Sequence, residues 1–325
     1  MNIQEAAARC AAGGTLTRAE ALEVLALPDE ALPELLNAVF IIRKKFKGLS
    51  VGIQLLTNAR SGNCSQNCAY CAQARDSTAS IEKYNFIPYE TAAAHGALAF
   101  EKNLARHCIG LSGIRFSDAE IESLCEYIRA LKKQSPVSIC CSIGFLTRHQ
   151  AVMLKEAGLD RVNHNLNTSR SYYPTICTTH TYDERIANIK MLQDTGFEIC
   201  CGGIAGMGES AEDLVDMFFD IQSIAPNSVP VNFLIPLKGT GKENAAAPLL
   251  PEYCLKVLCL ARLLLPRQDI RCAAGRELYL KGREADLLKA ADSLFASGYL
   301  TAGGQSIDDT IAAVTAAGFE FRIER

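Results

Sequence analysis

The sequence predicts an α/β protein of the (βα)8, TIM-type barrel class with an N-terminal helical cap. Two observations carry this. Helical signatures fill the first segment, and from about Val51 onward short apolar, β-rich runs alternate with amphipathic helical runs, as parallel βα units do. Eight such units can be counted, the number that closes a barrel of this kind.

The cap comes first. A capping-box pattern at Thr17 and Glu20 precedes Ala21, Leu22, Val24 and Leu25, and a second helical run spans Pro28 to Phe46. The expected division is therefore a cap over 1–47 and a barrel domain over 48–325. Strands are expected near 51–58, 106–112, 137–143, 161–166, 198–204, 229–236, 269–274 and 293–299, each followed by a helical stretch. The run from Asp118 to Lys133 shows the helical pattern well: Ile121, Leu124, Cys125, Ile128 and Leu131 form one apolar stripe, which makes Cys125 a core residue rather than a ligand. No low-complexity linker or composition break divides the barrel. In such barrels the active site lies at the C-terminal ends of the strands and in the loops that follow them.

Composition narrows the function. The 325 residues are about half apolar, enough for a large buried core, and the 33 basic and 36 acidic side chains nearly cancel. Basic clusters such as Arg43-Lys44-Lys45 are short, as on a solvated helix face, so neither a nucleic-acid nor a membrane partner is expected. The start, MNIQEAAARC, has no cationic stretch leading into an apolar one, and the most apolar run, Leu255 to Leu265, is interrupted by Lys256 and Arg262. A cytoplasmic protein is expected. In that compartment fourteen cysteines point to thiolate ligation rather than to disulfides.

After the first strand comes Cys64-Ser65-Gln66-Asn67-Cys68-Ala69-Tyr70-Cys71, a CX3CX2C run. Three thiolates on one loop can hold three corners of a 4Fe-4S cube. With no fourth cysteine in the loop, one iron stays open to a ligand that chelates through an amine and a carboxylate. A zinc site using Cys68 and Cys71 is the alternative, but zinc wants four ligands and no partner pair follows at the usual distance. The spacing resembles the signature of the radical S-adenosylmethionine superfamily. That resemblance implies that S-adenosylmethionine chelates the open iron, that Tyr70 lies beside its adenine, and that an electron from the reduced cluster yields a 5′-deoxyadenosyl radical.

Strand alternation sorts the other cysteines, because every second side chain of a barrel strand points into the lumen. Arg106 and Cys108 read as inward, with Ile109 outward; Cys140 and Cys200 read as inward, with Cys141 and Cys201 outward. Arg271 falls on an inward phase and Cys272 on the opposite one. Each cysteine singly is more often a small core residue than a ligand. Three inward thiols and a buried arginine, which needs anions nearby, together suggest a second iron–sulfur cluster deep in the barrel. On the fourth strand Asn163, Asn165 and Asn167 share a face, which Asn232 joins from the sixth. Buried amides must be hydrogen-bonded, so this face either binds a ribose or a cyclic urea or caps strand ends.

Taken together with the triplet loop, the segments 106–110, 163–169, 179–185, 200–209, 229–232 and 271–277 resemble the biotin synthase family nearly throughout the barrel. The resemblance implies that Cys64, Cys68 and Cys71 hold the 4Fe-4S cluster, and that Cys108, Cys140, Cys200 and Arg271 surround an auxiliary cluster, 2Fe-2S in the family, which donates sulfur. Deoxyadenosyl radicals then take hydrogen from carbons 9 and 6 of dethiobiotin, and sulfide joins the two carbons to give biotin. Tyr70, Asn165, Asn167 and Arg185 are implied contacts of S-adenosylmethionine, Arg185 with its carboxylate, and Asn163, Asn165 and Asn232 of dethiobiotin.

At position 167 some members of the family carry aspartate; an amide still accepts and donates there. The cysteine surplus raises another expectation. If a bulge turned Cys272 inward, it would join or replace an auxiliary ligand and allow a four-iron cluster. Cys10, Cys177, Cys254 and Cys259 are read as structural. Flavodoxin or ferredoxin is the expected reductant and a homodimer the expected assembly. Two rival readings are a related radical enzyme, such as a methylornithine synthase or hydrogenase maturase, and a thiol-rich metal-binding or redox-sensing protein.

Overall fold

The computed structural model describes residues 1–245 and 249–322. The barrel is built from β1 (Ser50–Arg60), β2 (Arg106–Leu111), β3 (Ile139–Ser142), β4 (Arg161–Asn163), β5 (Glu198–Cys200), β6 (Gly203–Ala205), β7 (Ser228–Phe233), β8 (Asp269–Cys272) and β9 (Ser293–Ala296). Neighbours pair in parallel, and β9 returns to β1 with Gly52 opposite Ser293 and Leu55 opposite Ala296, so the sheet closes. A short β10 (Glu320–Phe321) pairs with the first residues of β1.

Eight barrel positions are filled because β5 and β6 occupy one of them, the single strand expected over 198–204. The interruption has a specific cause. The Gly202 N–H donates to the Asn165 side chain (3.0 Å) instead of to a strand, and a Cβ on Gly202 would come within 1.9 Å of the Pro230 carbonyl oxygen. β4 likewise ends at Asn163, three residues short of the expected 166; beyond it the His164 N–H still donates to the Cys200 carbonyl (2.9 Å), and the chain next meets the sheet at a bridge from Asn167 to Gly203.

The N-terminal segment forms helices Ile3–Ala11, Arg18–Ala26 and Leu32–Lys47. The Thr17–Glu20 capping box is present. These helices pack against Pro251–Leu264, and every residue of that helix from Cys254 to Leu264 is buried. A helix covered on both sides must be apolar all round, which explains the long apolar run. Its Arg262 is neutralised where it sits, by Asp292 and by the carbonyls of Ala290 (2.9 Å) and Gln268 (2.9 Å). Among the described residues no helix is long and apolar enough to cross a membrane.

Candidate active site

A cavity of about 380 Å³ opens at the C-terminal ends of the strands and reaches down into the lumen. Its mouth is formed by the loop after β1. That loop is tied down at Gly62, whose carbonyl accepts from the Ser112 hydroxyl (2.6 Å) and whose N–H donates to Gln73 (2.9 Å). It is tied again to the segment after β4, where Ala69 N–H donates to the Ile176 carbonyl (2.8 Å) and the Asn67 amide donates to the Thr178 hydroxyl (2.7 Å). Cys64, Cys68 and Cys71 are free, half-buried thiols on this pinned loop, and all three line the cavity. Burial pushes the Cys71 thiol up to about 11 in the metal-free chain. Three soft ligands on one fixed loop beside an open cavity are the donor set a cubane with one free corner requires.

Next to the triplet lie the residues expected to hold the nucleoside. Asn167 donates to the Tyr70 hydroxyl (2.7 Å), and its backbone is left-handed (φ 73°), a conformation that asparagine and aspartate tolerate better than other side chains. Arg185 donates to the Asn165 carbonyl (3.1 Å), to the Tyr173 hydroxyl and to His180 Nε2 (2.8 Å), which holds its guanidinium at the cavity wall.

The asparagine face divides in two. Asn163 gives its NH2 to Asn165 Oδ1 (3.0 Å) and to Cys200 Sγ (3.2 Å), while Asn165 Oδ1 also accepts from Gly202. The Asn163 oxygen and the Asn165 NH2 therefore have no hydrogen-bond partner among the described residues, leaving one acceptor and one donor on the cavity wall. Asn232 differs: it spans from the Gly203 carbonyl (3.0 Å) to the Ala274 N–H (3.2 Å), the strand-end role, and offers only its second proton and lone pair.

Deeper in the lumen Cys108, Cys140 and Cys200 form a cluster of their own, separate from the main core and flanked by Leu56 and Phe295. Cys108 and Cys140 are register partners across β2 and β3. Arg271 is buried beside them, its Nη1 3.6 Å from Cys200 Sγ and its guanidinium 4.9 Å from the Phe295 ring centroid. Burial alone would lower the Arg271 pKa, but Cys200, Asp269 and the other two thiols outweigh it and hold the pKa above its ordinary value. Hydrogen bonding from Cys140 draws the Cys108 thiol down against the cost of burial.

Below the thiols three arginines, Arg106, Arg161 and Arg271, meet two carboxylates, Glu198 and Asp269. One positive charge is left over, and Arg271 Nε and Arg106 Nη1 are buried without a hydrogen-bond partner among the described residues. A doubly charged iron–sulfur core on three thiolates carries one net negative charge, so these residues fit an anionic cluster in charge and in unused donors.

The outward cysteines behave as alternation requires. Cys141, Cys201 and Cys272 lie in the main core, and Cys125 is buried in its helical stripe. The bulge that would have turned Cys272 inward is absent: β8 pairs Cys272 with Val231 and Leu294 in unbroken register. In this register Cys272 stays on the outward face, away from Cys108, Cys140 and Cys200.

Two residues that the sequence reading left out of the site belong to it. Cys177 Sγ lies 3.8 Å from Cys68 Sγ, and the His180 ring is 3.2 Å from Cys177, the donor atoms of all three falling within 4.8 Å of one another. Their C-x2-H spacing was the available signal.

Comparison with known proteins agrees with this geometry. Residues 59–221 match the model of the radical SAM superfamily, and residues 230–320 that of the biotin and thiamin synthesis associated domain. The chain is 39% identical over 313 residues to a biotin synthase of Geobacillus kaustophilus, covering 95% of this chain and 92% of that one. It is 40% identical to a biotin synthase of Magnetococcus marinus, covering 96% and 97%. Among solved structures, a methylornithine synthase superposes with a TM-score of 0.86 at 17% identity, covering 98% of this chain and 97% of that chain. An FeFe-hydrogenase maturase from Carboxydothermus hydrogenoformans gives 0.85 at 16% identity, covering 99% and 80%. At such low identity these two likenesses show the fold alone.

Proposed function

Since the chain belongs to the biotin synthase family of radical S-adenosylmethionine enzymes, we propose that it converts dethiobiotin to biotin by radical sulfur insertion. The observation that carries this reading beyond family membership is the second group of thiols. Cys108, Cys140 and Cys200 converge with Arg271 at the bottom of the cavity whose mouth bears the triplet. A radical enzyme that only rearranged or cut its substrate needs no sacrificial sulfur, so this group favours the sulfur-inserting reading.

In this reading Cys64, Cys68 and Cys71 hold a 4Fe-4S cluster, which when bound and reduced supplies the electron that cleaves S-adenosylmethionine. The protein's own part is placement. Arg185 offers its guanidinium to the methionyl carboxylate, Tyr70 lies beside the adenine, and Asn167 meets the ribose hydroxyls. The free Asn163 oxygen and Asn165 NH2 match the N–H and C=O of a cyclic urea, so they orient dethiobiotin between the triplet and the lower thiols, with Asn232 as a further contact. Cys108, Cys140, Cys200 and Arg271 hold the auxiliary cluster that supplies sulfur. A flavodoxin or ferredoxin reductant, a homodimeric assembly, a cytoplasmic location and a cap ending at residue 47 complete the proposal.

The test is anaerobic incubation of the reconstituted protein with S-adenosylmethionine, a reductant and dethiobiotin, followed by mass spectrometry. About two 5′-deoxyadenosines per biotin are expected. Deoxyadenosine without biotin would move the assignment to another substrate, and neither product from a protein with intact clusters would sink it.

Position 167 gives a sharper check. Asn167→Asp keeps an acceptor for the ribose and a side chain that tolerates the left-handed backbone, so its KM for S-adenosylmethionine should stay within a few-fold of the parent. Asn167→Ala loses the hydrogen bond and adds backbone strain of about 1 kcal/mol, and its KM should rise by about tenfold.

A further inference from the structure

Cys177 sits against the cluster loop in a hydrogen-bond arrangement whose direction can be worked out link by link. Arg185 Nη2 lies 2.8 Å from His180 Nε2. A guanidinium can only donate, so Nε2 accepts, and in the neutral ring the proton is on Nδ1. That nitrogen faces Gln66 Oε1 (2.9 Å) and Cys177 Sγ (3.2 Å). The orientation of Gln66 agrees, because its NH2 is turned to the Ser65 hydroxyl (2.9 Å), leaving its oxygen toward the ring. The ring nitrogen aimed at the sulfurs is thus a donor, which argues against His180 as a metal ligand alongside Cys68 and Cys177.

Besides Thr179 Oγ1 at 3.5 Å, which already accepts from the Asn67 N–H (3.2 Å), the Cys177 proton has two possible acceptors. One is Asn67 Oδ1 at 3.5 Å, but that oxygen already accepts from the Thr178 N–H (3.0 Å) and the Thr179 hydroxyl (3.1 Å). The other is Cys68 Sγ at 3.8 Å, an ordinary separation for a sulfur–sulfur hydrogen bond. In the metal-free chain Cys68 can donate across this contact. Once Cys68 is an iron ligand it has no proton, and the bond runs the other way, from Cys177 to Cys68.

We infer that Cys177 is a positioning residue for the reaction: its S–H donates to the Cys68 sulfur and raises the potential at which the iron–sulfur site accepts its electron. The inference rests on the proposed role of Cys68 as a cluster ligand. Its physical basis is that hydrogen bonds to ligand sulfur draw electron density off a cluster and favour the reduced form. The chain from Arg185 through His180 holds the Cys177 sulfur in place, so the residue that grips the carboxylate also orients the donor to the cluster.

The experiment is a potentiometric titration of the anaerobically reconstituted full-length protein, following the four-iron signal by low-temperature electron paramagnetic resonance. Cys177→Ala and Cys177→Val both lack a donor, and Val nearly keeps the volume. Cys177→Ser keeps one. With iron and sulfide contents equal, the midpoint should move to more negative potential in the Ala and Val proteins and stay close to the parent in Ser. An unchanged midpoint in Ala and Val overturns the inference, and so does a Ser protein shifted as far as Ala, which would make the effect one of packing. A parent protein with no four-iron signal removes Cys68 as a ligand and defeats the proposed function itself, a result distinct from either.

Discussion

Cys68→Ala should abolish 5′-deoxyadenosine formation, by more than about a thousandfold, because the triplet is the group proposed to hold the cluster that reduces S-adenosylmethionine. The loop explains why the loss is total rather than partial. Cys68 is the middle thiol of the three proposed as ligands, and its carbonyl accepts the Cys71 N–H (3.0 Å) in the turn that sets the third. The neighbouring thiol, Cys177, does not rescue it. That sulfur is anchored beyond β4, on the far side of the contact with Cys68, and is engaged by His180. Iron and sulfide analysis should show the triplet cluster gone and the lower cluster retained, since Cys108, Cys140 and Cys200 lie on the strands β2, β3 and β5 and form a group of their own. A Cys68→Ala protein that still made deoxyadenosine would require Cys177 as a substitute ligand.

The lower site was legible in the sequence because its logic is a period of two. Alternation along four short strands assigned Cys108, Cys140, Cys200 and Arg271 to the lumen, and it sent Cys141, Cys201 and Cys272 outward. Register held because one face of each strand meets helices, where a slip of one residue would bury the wrong set. What the sequence hid were contacts made at long range. The break between β5 and β6 depends on the Asn165 side chain capturing a backbone N–H thirty-seven residues away. Cys177 looked structural because its partner is 109 residues distant and is brought to it by the strap between Ala69 and Ile176. Asn232 shows the reverse limit: the pattern put it on the right face, but only the structure shows how far strand-end hydrogen bonds already occupy it.

Cys200→Ala and Cys272→Ala form the decisive pair for sulfur insertion, because the two residues lie on adjacent phases of the barrel wall and should behave oppositely. Cys200 Sγ receives the Asn163 NH2 at 3.2 Å and faces Arg271 at 3.6 Å, so it joins the group proposed to donate sulfur to the residue proposed to orient the substrate. Its loss should remove the auxiliary cluster and cut biotin formation by more than about a thousandfold, while the triplet still cleaves S-adenosylmethionine and deoxyadenosine still accumulates. Cys272 packs outward between Val231 and Leu294. Trimming it to alanine removes one buried sulfur, costs about 1 kcal/mol of stability, and should leave both products within a few-fold of the parent. The measurement is deoxyadenosine and biotin by mass spectrometry, with iron and sulfide counted in each protein. Biotin at the parent rate from Cys200→Ala would place the sulfur source elsewhere, whereas loss of iron from Cys272→Ala would mean that β8 shifts register when the cluster is bound. The expected split, with radical generation intact and sulfur insertion lost only in the inward variant, follows from which face of the strand each thiol occupies.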